Sequence, residues 1–382
     1  MNAMIESATA LRPLFRAQAA TIEESRRLPE AVLNAVHSIQ GFNLQLTPEF
    51  DGPALEPVEY LHVLEELCRG DASTGWCAMV GTESNACVNA FLHPQVVRDM
   101  ISANPRQTVA LTVVGSGQAI ETDGGYRISG RWRFASGCRH ATWLASMCVV
   151  HDANGPCSRA NGAPLTRIVF SRASEAIFHD TWNTSGLRGT ASDDFELVDV
   201  LVPTERSFDL ATAPLHGSPA WRIPLTLRLA MSKAAAVCGM ARGAMDALRP
   251  LLDRTPFAGA LPAREEPRTQ ISLARAEAAL ESGRAYLYQN VEQAWQAVLS
   301  GEVMEVNDIA RVRLAIVWAA ECALQSLHLM QDIAGTSAVL DPAFDRAARD
   351  LEVARHHMQL QTHVTEDVGR VLVGMAPRNP LF

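Results

Sequence analysis

Three things that this sequence lacks narrow its possible functions. No stretch approaches the roughly 20 uninterrupted apolar residues of a membrane-spanning helix, and residues 1–15 lack the basic-then-apolar pattern of a secretory signal. Positive charge is in deficit, since 33 lysines and arginines face 42 aspartates and glutamates for a net charge of -9. Nucleic acids and anionic membrane surfaces bind clustered positive charge. The sequence therefore predicts a cytoplasmic protein that binds neither.

Cysteine motifs are also missing. The eight cysteines are scattered singly, without a C-x-x-C pair or any other ligand-like grouping. Such thiols are typical of reduced, buried cysteines in a cytosolic protein. We therefore expect no zinc site built from them.

Apolar periodicity divides the 382 residues into three zones. Residues 1–107 carry apolar side chains at three- and four-residue spacing, which predicts an N-terminal helical domain. Residues 108–215 alternate β-branched and aromatic residues with glycine pairs, which predicts a small antiparallel barrel or sandwich of roughly seven strands. Residues 216–382 return to long, alanine-rich helical periodicity and predict a C-terminal four-helix bundle with extensive subunit contacts. The fold class is therefore α+β.

Three of the eleven histidines lie together in ARHHMQLQTHV, residues 354–364. Two metal ligands on one helix are best placed four residues apart, and no pair among His356, His357 and His363 has that spacing. If the helix continues, His356 and His357 project about 100° apart, so only one of them can face a given pocket. The pattern disfavours a metal and leaves a catalytic residue or a polar helix face.

Two motifs of the central zone resemble those of the acyl-CoA dehydrogenase superfamily. GGYRISGRWRFASGCRHATW, residues 124–143, is similar to its "GGY-x-[IL]-x-G-x-W" strand pair. TWNTSGLRGTASDDFELVDVLVPTERSF, residues 181–208, is similar to its "G-[LM]-R-G-T-x-S…V-x-VP" segment. The order of zones matches over nearly the whole chain. The resemblance implies a flavin enclosed by the β domain, the bundle and a neighbouring subunit.

Dehydrogenase activity is not expected, because the catalytic carboxylate of that family is missing. In most members a glutamate follows an Arg-Asp pair by about eight residues; here the pair is Arg349-Asp350 and that position falls near Met358. The second place for the base lies on an earlier helix, and residues 216–237 contain no aspartate or glutamate. An acyl-CoA dehydrogenase-like FAD desaturase therefore stays an alternative function, although the catalytic base that it would need is missing.

These departures resemble the oxygenase components of two-component flavin-dependent monooxygenases, such as phenol, hydroxyphenylacetate and steroid-ring hydroxylases and thiophene S-oxygenases. The shared marks are the "W-x-[FY]-x-SG" strand end at 132–137, the histidines that follow the Arg-Asp pair, and the "D-x-ST-x-W" helix start at 71–76. The resemblance implies hydroxylation of a phenolic or polycyclic aromatic compound through a hydroperoxide at the flavin C4a carbon. One alternative is an N- or S-oxygenase on this fold. A second alternative is a non-catalytic scaffold protein.

The same resemblance implies the cofactor and the partners. It implies reduced FMN or FAD taken up by diffusion, O₂ as co-substrate and a homotetramer. No G-x-G-x-x-G follows a predicted strand, so a separate NAD(P)H:flavin reductase should supply the reduced flavin.

Individual residues receive roles from the resemblance. Ser136 should hydrogen-bond flavin N5, and His357 should accept a phenolic proton as a neutral imidazole. The other expected flavin contacts are Trp132, Gly137, Trp182, Thr184, Arg254 and Gln270, the last two reaching the phosphates of a neighbouring subunit's flavin. The expected substrate-pocket residues are Trp76, His140, Trp143 and His356. A turn Ser-Gly pair, buried aromatics and surface histidines are the alternatives.

Overall fold

The N-terminal part of the chain is helical, as the sequence predicts. The computed structural model describes residues 3–104, 106–215, 218–255, 261–379 and 382. Its first five helices are α1 (Ala3–Ser25), α2 (Glu30–Ser38), α3 (Pro57–Gly70), α4 (Ala72–Phe91) and α5 (Pro94–Ala103). Helix α4 begins where the Asp71 carboxylate accepts a hydrogen bond from the Thr74 N–H at 2.7 Å. Small and apolar residues lie on every side of α4, so this helix is buried along almost its whole length.

The central zone folds into one sheet. Its strands are β1 (Val109–Thr112), β2 (Gly115–Thr122), β3 (Gly125–Trp132), β4 (Trp143–Asp152), β5 (Gly155–Pro156), β6 (Thr166–Arg172), β7 (Ile177–His179), β8 (Asp194–Pro203) and β9 (Ser207–Phe208). The main path runs β7-β8-β3-β2-β4-β6-β9, and β1 and β5 pair with β4.

Two details of the predicted β domain are wrong. The described residues form nine strands rather than roughly seven, and β1 and β2 both run parallel to β4. Strand β1 pairs with residues 143–146 and β2 with residues 149–151, so two short strands share one edge of a long one. Side-chain alternation predicts a strand but carries no information on the direction of its partner.

The end of β3 departs from the alternation read in the sequence. Strand alternation places Ile128, Trp132 and Phe134 on one face, and Ile128 and Trp132 are both fully buried. Phe134 should share that face, but β3 ends at Trp132, and Phe134 takes a left-handed backbone with φ of 61° and is 53% exposed. The chain therefore leaves the sheet between these two aromatic residues and presents Phe134 outward.

The C-terminal part contains the bundle. Its helices are α6 (Leu225–Leu248), α7 (Pro267–Leu299), α8 (Val306–Ala334), α9 (Ser337–Leu340), α10 (Pro342–Ala354) and α11 (Val364–Leu372). Helices α6, α7 and α8 are long and pack on one another, and α3 joins them against α6. No helix in the part of the chain that the structure describes is long and apolar enough to cross a membrane.

The histidine segment is not helical. Helix α10 ends at Ala354, and a 3₁₀ turn over Met358–Leu360 separates it from α11. His357 begins that turn, because its ring Nδ1 accepts a hydrogen bond from the Gln359 N–H at 3.3 Å. The condition under which His356 and His357 would project about 100° apart on one helix is therefore not met, because both residues follow the end of α10.

Candidate active site

Three predicted site residues from distant parts of the sequence meet at one place. Helix α4 supplies Trp76, the turn after β3 supplies Ser136, and the turn after α10 supplies His357. The Trp76 indole N–H donates a hydrogen bond to Ser136 Oγ at 3.2 Å. The ring centroids of Trp76 and His357 lie 5.7 Å apart at 62°. The site is thus assembled from the N-terminal helices, the sheet and the C-terminal helices.

A chain of buried hydroxyls continues inward from Ser136. Ser136 Oγ and Ser192 Oγ lie 2.7 Å apart, and so do Ser192 Oγ and Thr190 Oγ1. Thr190 Oγ1 donates to the Leu187 carbonyl at 2.8 Å, which the Trp182 indole N–H also reaches at 2.8 Å. The hydroxyls of Ser192 and Thr190 were not among the predicted site groups. Both belong to the GTAS stretch of the second motif, and that motif was the signal that could have found them.

His357 is electrically neutral in the folded protein. Burial lowers the pKa of its imidazole to about 3, and the nearby Lys233 ammonium lowers it further. Lys233 is itself paired with Glu83 at 2.6 Å. A neutral ring carries one proton, and because Nδ1 accepts from Gln359 that proton lies on Nε2.

The base role expected for His357 stays a prediction, and the hydrogen bond from Gln359 favours a donor role instead. A phenol-deprotonating base needs a free lone pair at Nε2, but here Nε2 carries the proton and can only donate. A conjugate-acid pKa of about 3 also makes the ring a weak base at neutral pH. His357 stays in the candidate site as a hydrogen-bond donor toward a bound oxygen atom.

The surroundings of Ser136 fit a flat heteroaromatic ring with a polar edge. Phe134 is 53% exposed, and its ring meets that of Trp182 edge to face at 6.2 Å. The Arg133 guanidinium lies over the Phe134 ring, 5.5 Å from its centroid. Gly137 has φ of 80°, and a Cβ there would lie 3.1 Å from His140 Nε2. These residues suit the isoalloxazine ring of a flavin.

His140 lies behind Gly137, at the back of the site. It is half-buried and packs on Phe42 with ring centroids 5.6 Å apart. Burial lowers its pKa to about 4, and His37 contributes by charge repulsion. His140 therefore adds a second neutral imidazole next to the Ser136 turn.

These two histidines should make the protein acid-sensitive. Both folded-state pKa values lie below the ordinary 6.5, so the unfolded chain binds more protons and stability is lost as pH falls from about 6.5 toward 4. At pH 5 each histidine should cost about 1–2 kcal/mol of unfolding free energy. Urea unfolding of His140→Gln and His357→Gln at pH 7.5 and 5 measures this. The loss between the two pH values should be smaller in each variant than in the wild type, and an equal loss would contradict the prediction.

The loop that carries Thr184 is fixed to helix α10. Thr184 Oγ1 donates to the Gly186 carbonyl at 2.7 Å, and Asp350 accepts from the Leu187 N–H at 2.6 Å. A Cβ on Gly186 would lie 2.1 Å from the Arg349 carbonyl oxygen. Burial raises the Asp350 pKa to about 7, and the charge of Asp71 raises it further. The Arg-Asp pair of the sequence motif is thus the loop's anchor.

Two tryptophans lie in hydrophobic cores, away from the place predicted for them. Trp132 is fully buried inside the sheet, where its indole N–H donates to the Met147 carbonyl and its ring stacks on Phe195. Trp143 is 3% exposed and belongs to the core between the sheet and helices α4 and α5. Neither side chain is exposed enough to contact a ligand. We therefore do not include Trp132 among the flavin contacts or Trp143 among the substrate-pocket residues.

His356 is also a correction. Its side chain is exposed, whereas that of His357 is turned into the protein. Arg139, a basic residue of the first motif, pairs with Asp193 at 2.7 Å. His356 is therefore a surface residue outside the pocket.

Arg254 and Gln270 are placed at the outer end of the bundle. Arg254 is exposed and pairs with Asp341 at 3.2 Å, and Gln270 Nε2 donates to the Arg264 carbonyl at 3.0 Å. Asp341 immediately precedes α10 and Arg264 precedes α7, so these contacts do not test the predicted role toward another subunit, which stays a prediction. Among the residues described, no group of three or more His, Cys, Asp or Glu could hold a metal ion.

Comparisons with known proteins agree with this architecture. Residues 9–93 match the model of the acyl-CoA dehydrogenase N-terminal domain, and residues 231–362 match that of the acyl-CoA dehydrogenase C-terminal domain. The chain belongs to the acyl-CoA dehydrogenase superfamily. The 3-HSA hydroxylase from Rhodococcus sp. RHA1 superposes on this superfamily member with a TM-score of 0.90 at 24% identity, covering 100% of this chain and 99% of the hydroxylase.

Curated relatives of this chain are named as a monooxygenase and as the oxygenase component of a hydroxylase. Indole-3-acetate monooxygenase of Pseudomonas putida is 27% identical, covering 95% of this chain and 91% of its own length. The oxygenase component of the FADH(2)-dependent resorcinol hydroxylase of Rhizobium sp. (strain MTP-10005) is also 27% identical, covering 96% and 92%. The prediction of a flavin-dependent monooxygenase on the acyl-CoA dehydrogenase fold is thereby confirmed.

Proposed function

We propose that this superfamily member is the oxygenase component of a two-component system that hydroxylates a phenolic or related aromatic small molecule. The observation that carries the proposal is the Trp76–Ser136–His357 cluster, in which Trp76 and Ser136 are buried and a neutral donor lies beside an aromatic corner. The relatives act on indole-3-acetate and resorcinol, as their names state, and both are small aromatic compounds. Bound reduced flavin would supply the electrons that activate O₂.

Residues on one side of the site would contact the flavin, and His357 on the other side would contact the substrate. Ser136 offers a polar contact to the flavin edge, while Phe134 and Trp182 form the apolar corner against its ring. His357 offers its Nε2–H to the oxygen atom of the substrate. A hydrogen-bond donor stabilises phenolate more than phenol, which lowers the pKa of the bound hydroxyl and makes the ring more electron-rich.

Labelled oxygen tests the proposal directly. The full-length protein is supplied with FMN or FAD, an NADH-driven flavin reductase, isotopically labelled O₂ and a panel of phenols, indoles and thiophenes, with catalase present to remove free peroxide. We expect one labelled oxygen atom in a hydroxylated phenol or indole. If the labelled oxygen is found only in a thiophene sulfoxide, the protein is an S-oxygenase and the proposed hydroxylation is wrong. Unlabelled substrates throughout would overturn the proposal.

We further propose a homotetramer in which Arg254 reaches the flavin phosphates of a neighbouring subunit. Large apolar side chains on the bundle helices are exposed, among them Ile271 at 61% and Trp318 at 46%, which suits contacts between subunits. Sedimentation velocity measures the assembly. A monomer at micromolar concentration would contradict both statements.

Arg254→Ala should weaken binding of reduced flavin. A charge-assisted contact to phosphate contributes about 1.5–3 kcal/mol, so Kd should rise by about tenfold or more, and more for FAD than for riboflavin, which lacks phosphate. Arg311→Ala is the matched control, since this exposed arginine pairs only with Asp308 on its own helix among the described ion pairs. An equal Kd for Arg254→Ala and the control would remove Arg254 from the cofactor site.

A further inference from the structure

We infer that the buried hydroxyls of Ser192 and Thr190 fix the direction of the Ser136 hydrogen bond and thereby make the site select reduced over oxidised flavin. Ser192 and Thr190 are positioning residues, because they act through Ser136. The inference rests on the proposed function, in which Ser136 contacts the N5 edge of the flavin.

The direction is set at the inner end of the chain. The Leu187 carbonyl oxygen can only accept hydrogen bonds, and Thr190 Oγ1 lies 2.8 Å from it. The Thr190 proton must therefore point to Leu187. A threonine hydroxyl has a single proton, so toward Ser192 it can only accept.

The donor and acceptor roles of Ser192 and Ser136 follow from that of Thr190. Ser192 Oγ lies 2.7 Å from Thr190 Oγ1 and must donate its one proton there. Ser136 Oγ lies 2.7 Å from Ser192 Oγ and must in turn donate to Ser192. Trp76 donates its indole N–H into Ser136 at 3.2 Å, and an indole nitrogen has no acceptor capacity that could reverse this link.

Burial holds this arrangement in place. Thr190 is 1% exposed, Ser192 3% and Ser136 8%, so no solvent competes for their protons. Reversal of any one hydroxyl would leave two lone pairs facing each other inside the protein. Such an unmade buried hydrogen bond is costly, and the whole chain is therefore polarised in one direction.

The outer end of the chain then has a defined chemistry. Ser136 has committed its proton to Ser192 and one lone pair to Trp76, which leaves one lone pair for a ligand. Reduced flavin carries a hydrogen on N5 and can donate to that lone pair. Oxidised flavin presents a lone pair at N5, which repels it. The site thus distinguishes the two redox states at one atom.

The ratio of two dissociation constants tests the inference without turnover. Full-length protein is titrated with reduced FMN under anaerobic conditions and with oxidised FMN in air, and the same is done with FAD. The variants are Ser192→Ala and Thr190→Val, each of which frees the Ser136 proton to turn toward N5. The control is Ser171→Ala, the same change at a fully buried serine in β6.

We expect the wild type and Ser171→Ala to bind reduced flavin at least about tenfold more tightly than oxidised flavin. In Ser192→Ala and Thr190→Val this preference should fall by about tenfold, mainly through tighter binding of oxidised flavin. A general loss of structure would weaken both forms and leave the ratio unchanged. If Ser192→Ala does not fold, as judged by circular dichroism, Thr190→Val decides.

Two failures are distinguishable. A preference for reduced flavin that is the same in wild type, Ser192→Ala and Thr190→Val would overturn the relay and leave the proposed function standing. A wild type that binds neither redox form would overturn the proposed function, and the inference with it.

Discussion

Replacing His357 by alanine should reduce hydroxylation of a phenolic substrate by about 100-fold, whereas His357→Gln should keep most of the activity. The loss follows from removing one positioned donor in a water-excluded site. Glutamine offers an N–H of similar reach but cannot act as a base. Product formation per oxygenase under saturating reduced flavin, quantified by chromatography, measures both variants. His356→Ala, an exposed neighbour, is the control and should match the wild type.

The comparison of the two variants separates a donor from a base. Equal, large losses in His357→Gln and His357→Ala would mean that the ring accepts a proton during turnover, against the hydrogen bond from Gln359 to Nδ1. Wild-type activity in His357→Ala would exclude the residue from the site. Because the His357 pKa is about 3, its donor form persists throughout the neutral range, and the wild-type rate should show no step from this group between pH 5 and 8.

Gly186→Ala should destabilise the protein by about 3 kcal/mol and weaken flavin binding with it. The added methyl group would lie 2.1 Å from the Arg349 carbonyl oxygen and 2.6 Å from the Asp350 nitrogen. These are backbone atoms of a packed helix and cannot step aside, so the loop must move. That movement breaks the hydrogen bond from the Leu187 N–H to Asp350. Urea unfolding gives the free energy, and flavin titration gives Kd.

Gly369→Ala is the matched control for this change. Gly369 is an exposed residue of helix α11, and a Cβ there would meet nothing within 4 Å. Alanine in a helix is more favourable than glycine, so this variant should gain up to about 1 kcal/mol. If Gly186→Ala unfolds at the same urea concentration as the wild type, the close approach to α10 does not constrain the loop.

The sequence predicted those features of the fold that depend on local periodicity. The N-terminal zone forms helices α1 to α5, and the alanine-rich zone forms the long helices α6, α7 and α8. The parallel pairing of β1 and β2 with β4 could not be predicted from the sequence, because it depends on contacts between residues far apart in the chain. The early end of α10 was also missed, since the His357 ring replaces a helical hydrogen bond, and helical spacing does not reveal this.

The candidate site was predicted in its members more than in their roles. Ser136, Trp76 and His357 meet as the resemblance implied, because their motifs mark where each segment enters the site. Trp132 and Trp143 were misplaced, because an aromatic residue in a strand motif fills a core as readily as a pocket. The protonated nitrogen of His357 and the direction of the Ser192 hydrogen bonds depend on neighbours within 3.5 Å, which only coordinates supply.

The backbone of one residue, Leu187, has a consequence for how the protein folds. Its N–H is held by Asp350 of α10, and its carbonyl orients the hydroxyls that end at Ser136. His357 follows the same helix by a few residues. A nascent chain whose sheet has formed before α10 docks would therefore have neither an oriented serine nor a histidine in place. The complete candidate site should therefore form only when α10 docks, and a ribosome-bound or proteolytically trimmed chain that lacks α10 should not contain it.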